Sequence, residues 1–114
     1  MSTNKCLSIE ETFNKAIEYH KIKKIYLAKE LYSEVIKKDP NHINALNNLG
    51  IIFYSLKKFD DAIKVFQKAI TVNFNFISAH NNLGLTYSEH GNFQKAISSY
   101  EKAIKINPNY FEAQ

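Results

Sequence analysis

The stretch Ala45-Leu46-Asn47-Asn48-Leu49-Gly50 returns thirty-four residues later as Ala79-His80-Asn81-Asn82-Leu83-Gly84, with five of its six letters unchanged. A fixed period of this length constrains the chain more tightly than its composition does. Each copy must fold alike, and a unit this short cannot bury its apolar faces without a neighbour. At the same offset Phe53 meets Tyr87, Ala62 meets Ala96, Phe66 meets Tyr100, Ala69 meets Ala103 and Ile70 meets Ile104. Stepping back instead, Phe53 falls on Tyr19, Ala62 on Ala28, Phe66 on Tyr32 and Ile70 on Ile36, while Leu49-Gly50 becomes Lys15-Ala16 and Ala69 becomes Val35. Three units of about 9–42, 43–76 and 77–110 follow, the first of them degenerate.

Within each unit the apolar residues recur at helical spacing. Ser8-Ile9-Glu10-Glu11 reads as a capping box, with a hydroxyl and a carboxylate three apart at a helix start. The first helix carries Phe13, Ala16, Ile17 and Tyr19, and a polar turn spans Lys21 to Lys24. A second helix places Tyr26, Leu27, Leu31, Val35 and Ile36 on its apolar stripe. Asp39-Pro40-Asn41 ends it, because proline has no backbone donor to continue the ladder. The second unit repeats this with Lys57-Lys58 as its turn and Asn73-Phe74-Asn75 as its exit. The third does so with Gly91 in the turn, a residue suited to a left-handed helix end, and Asn107-Pro108-Asn109 as its exit. Tyr110 to Gln114 reads as the start of a seventh helix, with Ala113 thirty-four after Ala79. The expectation is one all-α domain over 1–114, six helices of about fourteen residues stacked as three antiparallel pairs. Small residues (Ala16, Gly50 and Gly84; Ala28, Ala62 and Ala96) sit where helices meet, and aromatics fill the space between.

Composition narrows the chemistry. The net charge of +4 comes from fifteen lysines without one arginine, the residue whose planar fork most often reads phosphates and guanines. A nucleic-acid partner is therefore not expected. No apolar run approaches the roughly 18 residues a membrane span requires. Cys6 is the single cysteine, so no internal disulfide is possible, and no apolar signal core follows Met1. The cytoplasm is the expected compartment. His20, His42, His80 and His90 lack metal-ligand spacing, the three glycines are too scattered for a phosphate loop, and Cys6 has no base beside it in sequence. No catalytic residue, metal or cofactor is assigned.

Leu-Gly, an aromatic three residues on, then Ala, aromatic, Ala and Pro, repeated at thirty-four residues, resembles the tetratricopeptide repeat. The resemblance implies a right-handed superhelical solenoid whose first helices line a concave face that captures an extended peptide or a partner helix. It places Asn14, Asn48 and Asn82 on that face as one amide per unit, similar to the asparagine ladder in the repeats of O-linked N-acetylglucosamine transferase. An amide carries both a donor and an acceptor, and so can hold a peptide backbone without reading its side chains. Asn47 and Asn81 stand beside the ladder, Ile17, Ile51 and Leu85 would form an apolar strip along it, and Tyr54 and Glu89 lie further on. The family's two-carboxylate clamp for C-terminal tails is not expected. Its positions hold Phe13, Ile17, Asn48, Ser78 and Asn82, where only Asn48 fits and the cations are missing.

Two other readings remain open from the residues. The chain resembles arrays that precede glycosyltransferase-like catalytic domains, which would make it the substrate-recognition part of a larger enzyme. Alternatively, Tyr100, Ile104, Tyr110 and Phe111 form an open apolar end through which copies would self-associate.

Overall fold

Why these residues form helix pairs is visible at the helix ends. The structure, a computed structural model, describes residues 7–109. In order come α1 (Ile9–Lys21), α2 (Ile25–Lys38), α3 (Ile43–Ser55), α4 (Phe59–Val72), α5 (Ile77–Glu89) and α6 (Phe93–Ile106). No strand occurs among the described residues. The Ser8 box forms as read: Ser8 Oγ accepts from Glu11 N–H at 3.0 Å and Glu11 Oε1 accepts from Ser8 N–H at 2.9 Å. Each unit leaves its second helix through the same turn, in which a side-chain oxygen accepts a backbone N–H two residues on. These bonds run from Asn41 to Asp39 at 3.1 Å, from Asn75 to Asn73 at 3.0 Å and from Asn109 to Asn107 at 3.1 Å. Phe74 therefore replaces proline without loss of the exit, because the Asx turn fixes the backbone by itself.

The turns inside the units share one conformation. Lys23, Lys57 and Gly91 have φ of 67°, 61° and 90°. The left-handed residue foreseen only at Gly91 is thus present in all three units, and twice a lysine supplies it. Both lysines are exposed, so the Lys23-Lys24 and Lys57-Lys58 pairs mark solvated turns.

The helices pack in chain order, each against the next, into an elongated body of 55 × 25 × 24 Å, a helical repeat solenoid. Three core clusters succeed one another along it. Ala16, Ala28, Tyr32, Val35, Ala45, Leu49 and Ile52 bind α1, α2 and α3. Leu46, Ala69 and Ala79 join α3, α4 and α5. Ala62, Phe66, Leu83, Tyr87 and Ala96 carry the core to α6. The stripe of α2 differs from the sequence reading. Ala28, Tyr32 and Val35 are buried, whereas Tyr26 is 66% exposed and Leu27 also faces solvent. Adjacent apolar letters offered two registers there, and the one that sets Tyr32 against α1 prevailed.

The tightest contact in each later unit joins its two helices. A methyl group on Gly50 would lie 2.6 Å from Phe66 Cζ, and one on Gly84 would lie 2.8 Å from Tyr100 Cε1. Real carbon contacts are far longer, so Gly50→Ala must push α4 away or force the Phe66 ring off its rotamer. The expected cost is about 1–3 kcal/mol, read as a lower urea midpoint with unchanged helical circular dichroism. Lys57→Gly should act oppositely, because it removes left-handed strain of about 1–2 kcal/mol while adding unfolded-state freedom of about 0.4–1 kcal/mol. The same denaturation series checks both, and a Lys57→Gly protein less stable than the parent would contradict the turn analysis.

Candidate functional site

The first helices of the units place their middle residues on one face, and the aromatic of each second helix comes up beneath them. Two hollows result. One, of about 260 Å³, is lined by Ile17, His20, Lys21, Tyr32 and Asn48. The other, of about 200 Å³, is lined by Ile51, Tyr54, Phe66, Asn82 and Leu85. Ile17 and Ile51, His20 and Tyr54, Tyr32 and Phe66, and Asn48 and Asn82 are each thirty-four residues apart. The same four register positions therefore build the same hollow twice. Of the residues singled out from sequence, Ile51, Tyr54, Asn82 and Leu85 come together in one hollow and Ile17 and Asn48 in the other.

The three ladder asparagines are not equivalent. Asn14 is exposed on α1. Asn48 Nδ2 donates to Tyr32 Oη at 3.4 Å. Asn82 has phenylalanine where Asn48 has tyrosine, so no hydroxyl is available, and its Nδ2 donates instead to Asn47 Oδ1 at 3.2 Å. That bond ties α5 directly to α3. Asn47 is only 8% exposed, so it serves as the inner anchor of Asn82, while Asn81 is half-buried. At Asn48 and Asn82 the internal bond uses one amide hydrogen and leaves the carbonyl oxygen and a second hydrogen for a ligand.

The first hollow holds a chain of polar groups that sequence reasoning missed. His20 Nδ1 lies 3.3 Å from Tyr32 Oη, the oxygen that also accepts from Asn48. With that acceptor role taken, the tyrosine proton is free to bond an unprotonated Nδ1. Burial, reinforced by the charge of Lys23, holds the His20 imidazole below its ordinary value of 6.5. Burial also raises the Tyr32 phenol, partly offset by the bond from Asn48. The signal for this chain was present in the alignment, since Tyr32 carries a hydroxyl that Phe66 lacks. Across the second hollow, burial raises the Tyr54 and Tyr100 phenols and Glu89 adds to both shifts. Tyr54, Glu89 and Tyr100 thus gather at one end of the face. His80 is 2% exposed, and its Nε2 donates to the Phe74 carbonyl at 2.8 Å. Among the described residues no group of three or more histidines and carboxylates could hold a metal ion. No described helix is long and apolar enough to cross a membrane.

The tetratricopeptide repeat pattern matches residues 43–76 and 77–110. The chain belongs to the tetratricopeptide repeat family. Its structure is similar to a MamA crystal structure at 29% identity and a TM-score of 0.88, covering 93% of this chain and 62% of that one. It is also similar to the first tetratricopeptide domain of Spaghetti (RPAP3) bound to the HSP90 peptide SRMEEVD. That match has 25% identity and a TM-score of 0.87, and covers 92% of this chain and 83% of that one. No curated protein matches the sequence. The family pattern covers the second and third units, in keeping with the Lys15-Ala16 departure in the first.

The lowered pKa of His20 gives a pH dependence with a defined sign. A histidine whose folded pKa lies below its unfolded value binds fewer protons when folded, so its contribution is intact above the unfolded value of about pH 6.5 and is lost as pH falls below it through the folded value. His20→Gln should therefore flatten the loss of thermal midpoint between about pH 7 and about pH 5 relative to the parent. Melting curves at matched ionic strength check this, and parallel pH profiles for the two proteins would refute it.

Proposed function

We propose that this chain is a protein-interaction scaffold that holds an extended peptide along the face of α1, α3 and α5. The carrying observation is the pair of repeat-related hollows, each with an apolar wall and one asparagine at its edge. An extended peptide advances with side chains alternating, so apolar side chains would enter the hollows while Asn48 and Asn82 meet its backbone through their remaining donor and acceptor groups. The ladder is in this respect similar to that of the glycosyltransferase repeats, with Asn14 as its most accessible member. The Spaghetti domain binds a peptide ending in aspartate. Without cations at the clamp positions, the present chain is suited to internal segments with apolar side chains rather than to a free carboxyl terminus.

A peptide selected from a displayed random library on the wild-type chain provides the probe. Asn48→Ala and Asn82→Ala should each weaken it by about 1 kcal/mol and by less than about 3 kcal/mol, the range for an unmade hydrogen bond. Calorimetric affinities unchanged in the double variant would remove the ladder from the binding face.

One observation favours self-association as a second activity. Phe93, Ile97 and Ile104 are exposed along α6, with Tyr100 half-buried among them. Their counterparts Phe59, Ile63 and Ile70 on α4 are half-buried, in the position that α5 covers. Tyr110 and Phe111, expected to extend this surface, lie outside the described residues. The outer face of α1 presents exposed Glu11, Lys15 and Glu18, so an α6 face has no apolar partner there. Pairing of two α6 faces, a closed two-fold contact, is the association this chemistry allows. Sedimentation velocity should show a concentration-dependent dimer that Ile97→Lys abolishes, and a strict monomer at high concentration would rule it out.

A further inference from the structure

On the other side of α5, in the seam between α4 and α6, lies a cavity of about 320 Å³ lined by Gln67, Tyr87, Lys95, Ser98, Ser99 and Lys102 among others. The inner wall of the matching seam one unit earlier is apolar. Val65 stands at the register of Ser99 and packs against two of the core clusters, with Leu46 at the register of His80 and Phe53 at that of Tyr87. Three exchanges therefore put polar groups on the inner wall of this seam, and the exchange of valine for serine removes volume there.

The polar groups of this hollow are biased towards donation. Tyr87 Oη accepts from Gln67 Nε2 at 3.0 Å, which leaves its own hydroxyl proton to give. Ser99 is only 6% exposed, and among the described residues its hydroxyl has no hydrogen-bond partner. Other hydroxyls in these helices bond the carbonyl four residues back: Ser33 to Lys29 at 2.8 Å, Thr71 to Gln67 at 3.0 Å and Thr86 to Asn82 at 2.7 Å. The Ser99 side chain is buried as a whole while its hydroxyl stays open to the cavity, so the hydroxyl can donate to a ligand there. Lys95 Nζ stands 5.6 Å from the Tyr87 ring centroid, and Lys102 follows two helical turns along α6. No carboxylate is among the lining side chains.

We propose that this seam is an oxyanion site that takes a phosphate group. Two ammonium groups and the Ser98, Ser99 and Tyr87 hydroxyls present at least five donors, more than a two-oxygen carboxylate can accept well. A phosphate monoester offers three strong acceptor oxygens and a charge of about −1.5 to −2 at neutral pH. The cavity also leaves room for the ester carbon, so inorganic phosphate and a phosphorylated side chain share the chemistry. The site is separate from the peptide face and stands independently of that reading.

The test follows amide resonances of the full 114-residue chain while sodium phosphate, O-phosphoserine or sodium acetate is added at constant ionic strength. Saturable shifts confined to residues 67, 87 and 95–102 are expected with phosphate or with phosphoserine. Whichever binds more tightly identifies the source. Ser99→Val restores the residue that the second unit already carries at Val65, so the variant has a folded precedent in this chain, and its melting curve confirms the fold. It should weaken phosphate at least about tenfold, equal to about 1.4 kcal/mol, and Lys102→Gln should weaken it as well. Shifts that never saturate, acetate binding as tight as phosphate, or an undiminished affinity in the folded Ser99→Val protein would each overturn the site.

Discussion

The contact between the small residue of each first helix and the aromatic of its partner governs the rest of the molecule. At Gly50 and Gly84 the ring of Phe66 or Tyr100 lies where a side chain would otherwise begin. In the first unit Ala16 and Tyr32 share one cluster, both at 0% exposure. This contact sets how closely the helices of a pair approach. Because the ring is longer than the contact, its far edge also reaches the opposite surface and floors a hollow there, as Tyr32 and Phe66 do. The packing that closes the core and the geometry that shapes the hollows therefore rest on the same side chain, and a change in the ring alters both.

The two ends of the solenoid have opposite chemistry. Where α3 buries Ala45, Leu49 and Ile52, and α5 buries Ala79, Leu83 and Thr86, α1 exposes Glu11, Lys15 and Glu18 at the same registers. The first unit is degenerate along that outer face and keeps the pattern at Ala28 and Tyr32, which face its own neighbours. Terminal units of repeat proteins need a polar outer face for solubility. Among the described residues no such polar face covers α6, whose apolar stripe keeps the spacing of α4.

Periodicity made the architecture legible, since a fixed offset carries helix count, turn position and pairing at once. The capping box at Ser8 and the exits at Asp39, Asn73 and Asn107 were readable because they are local. Hydrogen bonds between units were not readable from the repeat letters alone. Asn48 and Asn82 are the same letter in the same register, yet one bonds a tyrosine sixteen residues back and the other an asparagine on the preceding first helix. The difference lies in Phe66, which is conservative in volume and different only in one oxygen. The register of α2 was ambiguous for a similar reason. Tyr26 and Leu27 carry large apolar surface like the residues that won, and only the position of α1 selects among them.

Single-residue differences between units thus do more than the shared pattern to separate one surface from another. Tyr32 against Phe66 decides whether an asparagine is held within its own hollow or across two helices. Val65 packs against two core clusters where Ser99 lines a cavity. Lys57 against Gly91 changes the strain of a turn without moving it. The repeat supplies a backbone tolerant of each exchange, because every unit's contacts are duplicated next door and a lost one is not propagated. That tolerance is why a solenoid can carry a face of repeated hollows and, on the other side of α5, a polar seam of unrelated chemistry built from different registers.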